Sequence, residues 1–330
     1  MRLDPYKISC LRTAFYKRCV PLLDATCELG EHAQPIADKA IRPTEFELET
    51  REDSQVDGAT KLALKTHDGH LIETVILRIK SGRTALCVSS QVGCAADCSF
   101  CATGKMGITR NLTAFEIVDQ VAIANRILKG EGRRVRNLVF MGMGEPFHNS
   151  DEVDHALDML TDPTMFNLAP GHITVSTVGI PEEMTRLAAA RPEIHIALSL
   201  HSARQDRRVE LIPLAHKYDS EALRKAVKEL NRLQQRPVMI EYLMLAEFND
   251  TPDDLDALLQ WVDGLNVHVN LIPFNTIAGM DHLKATPKSQ RAAFSSELRA
   301  RGIKTTLRYS LGADVTAACG QLVREEKRRR

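Results

Sequence analysis

The chain has 330 residues, 44% of them hydrophobic and 26% charged, with 43 basic and 43 acidic side chains and a formal net charge of zero. That composition excludes a disordered or fibrous protein and leaves room for one large domain or two modest ones. No window approaches the roughly 18 to 20 consecutive apolar residues of a membrane span, and the start MRLDPYKISC lacks the apolar core of a secretion signal. A cytoplasmic protein with no membrane partner is expected.

In chain order, residues 1–56 mix short apolar runs with polar stretches and prolines at Pro35 and Pro43, which suggests a small accessory region of short helices. Across 57–86 apolar and polar residues alternate, punctuated by Asp68-Gly69 and Ser81-Gly82, the pattern of a β-hairpin extension. From 87 to 322 the texture changes. Apolar runs NLVFMGM (137–143), HITVSTV (172–178), IHIALSL (194–200), VMIEYLML (238–245) and VHVNLIP (267–273) read as strands buried on both faces. Between them lie helical patterns at 113–129, 151–160, 181–190, 220–233, 251–263 and 289–302. The first opens with Thr113 and Glu116, at the spacing of a capping box. Regular strand–helix alternation predicts an α/β fold with parallel strands, a partial (β/α)6 TIM-like barrel, followed by a basic tail at 323–330.

In such barrels catalytic groups collect at the C-terminal ends of the strands. CVSSQVGC, GEPFHN, STVG, SLHS and PFN all fall at predicted strand ends. The first belongs to CVSSQVGCAADCSFCATGKMG (87–107), which holds four of the eight cysteines, the last three spaced C-x3-C-x2-C. In a reducing compartment such clusters serve metals or catalysis rather than structural disulfides. Structural zinc takes four ligands, and no second C-x2-C pair or nearby histidine follows Cys101. Iron–sulfur clusters are held by cysteine thiolates, and three of them leave one iron open to substrate. Zinc with a remote ligand stays open as an alternative. The basic runs GRRVRN (132–137), ARQDRR (203–208) and REEKRRR (324–330) are each a solvated face or a phosphate contact.

C-x3-C-x2-C with Phe100 before its last cysteine resembles the radical S-adenosylmethionine (radical-SAM) superfamily, as does Gly144-Glu145-Pro146 after the second strand. CVSSQVGCAADCSFCATG, FMGMGEP, SLH, NLIPFN and GADVTAACGQL (312–322) together resemble, more narrowly, the RlmN/Cfr family of radical-SAM adenosine methyltransferases. The resemblance implies a [4Fe–4S] cluster on Cys94, Cys98 and Cys101, and S-adenosylmethionine contacts at Gly144, Glu145, Ser176, Ser199, Leu200, His201 and Asn275, with Asn270 close by. It implies that Cys319 accepts a methyl group, that the S-methyl carbon is activated by a 5′-deoxyadenosyl radical, and that it adds to adenine. Cys87 then resolves the protein–RNA thioether by pairing with Cys319, and Glu73 is the proton acceptor. A thiolate is the fitting nucleophile for the first transfer.

The implied substrate is 23S rRNA, at carbon 2 of an adenine, with tRNA as a possible second substrate; the Cfr-like alternative is carbon 8. A small reductant such as flavodoxin or ferredoxin and a monomeric state are also expected. With RNA as substrate, Arg133, Arg134, Arg136, Arg207 and Arg208 become candidates for phosphate contacts. From other classes, a radical-SAM enzyme on a non-RNA substrate or a zinc-bearing RNA-binding protein would have no use for paired Cys87 and Cys319. Cys10, Cys19 and Cys27 are read as ordinary thiols, and Met141 and Met143 as packing residues as readily as cofactor contacts.

Overall fold

The computed structural model describes residues 4–30, 44–79 and 81–322. Pro35, Pro43 and the basic tail at 323–330 lie outside the described residues. The chain begins with α1 (Pro5–Arg12), whose N-terminus is capped by the Asp4 carboxylate accepting from the Tyr6 N–H and led by Pro5 in the first turn. A π-turn and the short α2 (Leu22–Ala25) follow.

The accessory region expected to be helical through residue 56 changes character earlier. Phe46–Asp53 is a strand, β1, paired antiparallel with β2 (Ala59–Thr66). Its sequence FELETRED has no usable apolar alternation, because every residue after Phe46 is exposed. Charged side chains guard this sheet edge, and the pairing to β2 supplies the backbone hydrogen bonds that the local pattern does not announce. Its start is pinned to the barrel: Asp119 accepts from the Glu45 N–H at 2.7 Å and from the Thr44 hydroxyl.

β2 pairs with β3 (Leu71–Arg78), and β3 pairs antiparallel with β4 (Thr84–Cys87). β4 is also the first barrel strand, so the hairpin extension and the barrel form one ten-stranded sheet. From β4 onward all neighbours are parallel, through β7 (Asn137–Phe140), β8 (Ile173–Thr177), β9 (His195–Ser199), β10 (Val238–Met244), β11 (Val267–Pro273) and a short β12 (Thr305–Leu307). A separate ribbon of β5 (Gln91–Gly93) and β6 (Ile108–Asn111) frames the cysteine loop. This is a partial TIM-like barrel.

Helices α3 (Ala114–Lys129), α4 (Ser150–Thr161), α5 (Pro181–Ala190), α7 (Ser220–Leu233), α8 (Pro252–Val262) and α9 (Lys288–Ala300) return the chain between strands. A seven-residue α6 (Gln205–Leu211) between β9 and α7 carries no legible periodicity in the sequence. Both halves of the Thr113–Glu116 capping box are made. Strand residues such as Leu138, Val175, Ile196, Ile240 and Val269 are fully buried beside Ile117, Leu157, Leu187, Leu223 and Leu298 of the helices. That layer fixes the strand ends in space, and with them the loops that carry the polar groups.

Candidate active site

One pocket opens at the C-terminal ends of the parallel strands. Cys94, Cys98 and Cys101 line it together with Gly144, Glu145, Ser176, Ser199, His201 and Cys319. The thiol loop is held from both sides. The Cys94 N–H donates to Gly107 O at 2.9 Å, and Cys101 N–H to Cys98 O at 3.1 Å. Gly93 sits at φ +82°, where a Cβ would lie 1.9 Å from Gly107 O, so the ribbon can cross there only without a side chain. Burial pushes the Cys94 thiol up to about 12 and the Cys98 thiol well above its ordinary value, and charge on the neighbouring cysteines adds to both. Thiols in that setting ionise only against positive charge.

Part of that charge is already present. Arg208, one of the residues expected on an RNA face, is only 1% exposed and lies beneath the site; this corrects the sequence expectation. ARQDRR looks like a solvated run, but α6 turns Arg208 inward while Arg207 stacks over the Phe248 ring, 5.1 Å from its centroid, and pairs with Glu210 at 3.8 Å. The Arg208 Nη2 donates to Val178 O at 2.5 Å, whereas its Nε and Nη1 are buried without a hydrogen-bond partner. Burial pulls its pKa down to about 10, opposed by Cys98. A buried cation with idle donors beside Cys98 calls for more negative charge than the protein chain provides. A thiolate-ligated iron–sulfur cluster fits that demand.

Among the described residues no three His, Cys, Asp or Glu side chains are grouped to hold one metal ion. Three thiols lining one pocket suit instead a multi-iron cluster, in which each would bind its own iron.

Across the pocket, Gly144 adopts φ +104°, and any Cβ there would strike Gln91 at 2.7 Å. The buried Glu145 carboxylate accepts from Phe147 N–H at 3.0 Å and Val178 N–H at 2.8 Å, and burial raises its pKa to about 7. Such a carboxylate suits an ammonium group. His201 takes the left-handed conformation at φ +57°, stands edge-on to Phe100 at 4.7 Å, and accepts from Leu243 N–H through Nδ1 at 3.0 Å. Burial, with the Arg208 charge, pulls its pKa down to about 3. The ring is neutral, with its proton on Nε2 as a fixed donor. Leu200 is fully buried in the core and does not line the pocket.

Cys319 closes the pocket from a C-terminal loop that is tied down at many points. Gly320 O accepts from Ala102 N–H at 2.8 Å, Leu322 O from the Thr103 hydroxyl at 2.6 Å, and Cys319 O from Asn275 Nδ2 at 3.2 Å. Asn275 therefore holds the Cys319 loop and does not line the pocket. Asn270 instead donates to both oxygens of Glu241, each at 3.1 Å. Cys87, the last residue of β4, is buried; burial pushes its thiol up to about 12, a charged Cys319 raises it further, and Arg308 opposes them. The two cysteines, far apart in sequence, are thus electrostatic neighbours.

Arg308 sits among Cys319, Glu241 and Cys87, whose negative charge raises its pKa, and it lines the pocket. Sequence reasoning missed it, because the strand that delivers it, β12, is only three residues long. Glu73 is buried on β3 and ion-paired to Lys61 at 3.2 Å, so it is no surface carboxylate. The same Lys61 ammonium donates to the Thr316 hydroxyl at 2.9 Å, linking Glu73 to the Cys319 loop. Arg133, Arg134 and Arg136 lie elsewhere, just before β7, at the end of the barrel opposite the thiols.

A match to the Radical SAM superfamily spans residues 88–262, more than half of the chain. Fold, thiol loop and pocket define a radical-SAM protein. Curated relatives include a probable RNA methyltransferase of Rhodopirellula baltica, 50% identical over 100% of this chain and 85% of that protein. The dual-specificity RNA methyltransferase RlmN 1 of Myxococcus xanthus is 38% identical over 98% of this chain and 90% of its own length. A radical-SAM methyltransferase from Sphaerobacter thermophilus, solved by crystallography, superposes with a TM-score of 0.92 at 36% identity, covering 96% of this chain and 92% of that one. Streptococcus suis SuiB bound to S-adenosylmethionine shares the fold alone, with a TM-score of 0.51 at 14% identity over 68% of this chain and 50% of that one. The chain belongs to the RlmN/Cfr family of radical-SAM methyltransferases. Among the described residues no helix is long and apolar enough to cross a membrane.

Proposed function

We propose that this chain methylates carbon 2 of an adenine in 23S rRNA, with a tRNA adenine as a second substrate, and that the methyl group travels on Cys319. The observation that carries this reading is that Cys319 and Arg308 line the three-thiol pocket with the buried Cys87 close enough to interact electrostatically with both. A radical-SAM enzyme that modified a small molecule directly would have no use for that second pair of thiols.

Cys94, Cys98 and Cys101 would hold a [4Fe–4S] cluster, and Arg208 would offset its charge. With S-adenosylmethionine bound, the cluster supplies reducing power and the cosubstrate supplies both the methyl group and a hydrogen-abstracting radical. Glu145 takes the ammonium end of the cosubstrate, Gly144 allows its close approach, and Ser176, Ser199 and the His201 Nε2–H offer further hydrogen bonds. The Cys319 Sγ thiolate attacks the sulfonium methyl carbon, displacing S-adenosylhomocysteine, and retains the methyl as a thioether, while Arg308 favours the anionic thiolate over the thiol. Glu73, tethered through Lys61 to the same loop, is the proposed proton acceptor for the adenine hydrogen. Cys87 would attack the Cys319 sulfur, forming a disulfide as the carbon–sulfur bond to the product breaks.

The deciding experiment is anaerobic reconstitution with iron and sulfide, followed by reaction with methyl-labelled S-adenosylmethionine, flavodoxin or ferredoxin as reductant, and unmodified rRNA. Labelled 2-methyladenosine by mass spectrometry supports the reading. Labelled 8-methyladenosine moves the chain to the Cfr-like reaction, and deoxyadenosine without labelled RNA overturns the RNA substrate. Cys319→Ala is expected to abolish methylation while leaving cofactor cleavage. Cys87→Ala should trap a covalent protein–RNA species, visible as a shifted band in a denaturing gel.

A further inference from the structure

Four arginines that the active site does not use, Arg83, Arg133, Arg134 and Arg136, converge on a second surface. Arg136 immediately precedes β7 and Arg83 immediately precedes β4, two parallel neighbours in the sheet. The thiol loop and Gly144-Glu145 follow the other ends of these same strands. Each strand has four residues, so the two surfaces are separated by at least about 13 Å of strand.

Two adjoining cavities mark this far end. One, of about 410 Å³, is lined by Lys17, Arg18, Lys129 and His172 as well as Arg133, Arg134 and Arg136. The second, of about 560 Å³, shares the last three arginines and adds Ser81, Gly82 and Arg83. Among the described residues no Asp or Glu lines either cavity. The nearby Glu131 is occupied, accepting from Arg78 at 2.7 and 2.6 Å. Arg133 Nη1 is buried without a hydrogen-bond partner. In a chain whose total charge is zero, Arg83, Arg133, Arg134 and Arg136, with no carboxylate among the described lining residues, form a local field that repels itself unless an anion is shared among them.

We propose that this basic track is a docking surface for the phosphate backbone of structured RNA, separate from the pocket where the target base reacts. The inference rests on the RNA-directed reading of the pocket. Its shape favours a chain of phosphates over a single anion, because the same arginines border both cavities. Guanidinium forks match phosphate oxygens two at a time, which a lone ammonium cannot do. A substrate that touches both ends of the barrel must be a folded RNA large enough to wrap one side of it. A short hairpin would reach the pocket alone.

The test separates binding from chemistry. Affinity for an unmodified large-subunit rRNA transcript is measured against salt for the wild type and for Arg133→Gln/Arg134→Gln/Arg136→Gln. Each lost phosphate contact should flatten the log–log slope by about 0.7–0.9, so the triple variant should lose roughly 2–3. RNA-independent cofactor cleavage should be unchanged, as should turnover of a short hairpin bearing the target adenine. Should the triple variant fold poorly, Arg83→Gln/Arg134→Gln alters only exposed side chains and should flatten the slope by about 1.4–1.8. Equal salt slopes in variant and wild type would overturn the proposal. If the wild type binds through the track but labels no adenine in any RNA, the proposed reaction fails and the docking surface stands.

Discussion

His201 shows how one side chain can report on the site. Burial, with help from Arg208, pulls its pKa to about 3, below the 6.5 of an ordinary histidine, so the unfolded chain takes up a proton before the folded one does. Stability from this group is therefore complete above about pH 6.5 and is lost as pH falls toward 3, amounting to about 2 kcal/mol by pH 5. Urea unfolding at pH 7 and pH 5 should show that extra loss in the wild type and not in His201→Asn; identical pH dependence in both proteins would sink the assignment. Arg208 acts in the opposite sense, as a cation that awaits an anion. Arg208→Met removes it without a large change of volume and is expected to weaken iron–sulfur retention about 10–100-fold, the usual consequence of deleting a partner that supports metal ligands. Iron release to a chelator measures this directly. Neither role is legible in the sequence. ARQDRR gives no sign of which arginine faces inward, and the hydrogen bond that fixes the His201 tautomer comes from Leu243 on a different strand.

Elements with strong local rules were read from the sequence almost to the residue. Residues 181–190 and 220–233 show amphipathic periodicity and form α5 and α7 with the same bounds. Helix α3 starts where Thr113 and Glu116 placed it. Thr113→Ala should cost about 1 kcal/mol in denaturant unfolding, since the hydroxyl satisfies an otherwise orphaned N–H at the first turn. What escaped reading were elements that rely on partners. β1 is held by the edge of β2, β12 is a three-residue addition to β11, and α6 is too short to show a period. The β5–β6 ribbon is set by glycine. At Gly93 an added methyl group would collide with the Gly107 carbonyl, so Gly93→Ala is expected to distort the cysteine loop and abolish iron–sulfur loading, seen as loss of the charge-transfer absorbance.

At the scale of the whole molecule, the antiparallel extension and the barrel cooperate through the C-terminal loop. The Ser54 hydroxyl donates to Asp314 at 2.8 Å, Gly312 N–H donates to Asp57 at 2.8 Å, and Lys61 holds Thr316, so β1–β3 steady the loop from one side. The cysteine loop steadies it from the other through Ala102 and Thr103. Asp57→Ala should therefore slow RNA methylation by about tenfold, as expected when a reacting group loses its fixed position, while iron content and cofactor cleavage are preserved. Parallel measurement of deoxyadenosine and methylated nucleoside checks this. The motifs placed the thiols and the barrel, but these tethers join residues some 255 positions apart and no sequence pattern announces them. They also impose a timetable on biosynthesis. Cys94, Cys98 and Cys101 emerge from the ribosome long before Cys319, and their loop cannot acquire its last hydrogen bonds until translation reaches Leu322. A chain interrupted after β12 would carry the three thiols of the pocket without Cys319 and without the Gly320 and Leu322 carbonyls that hold their loop.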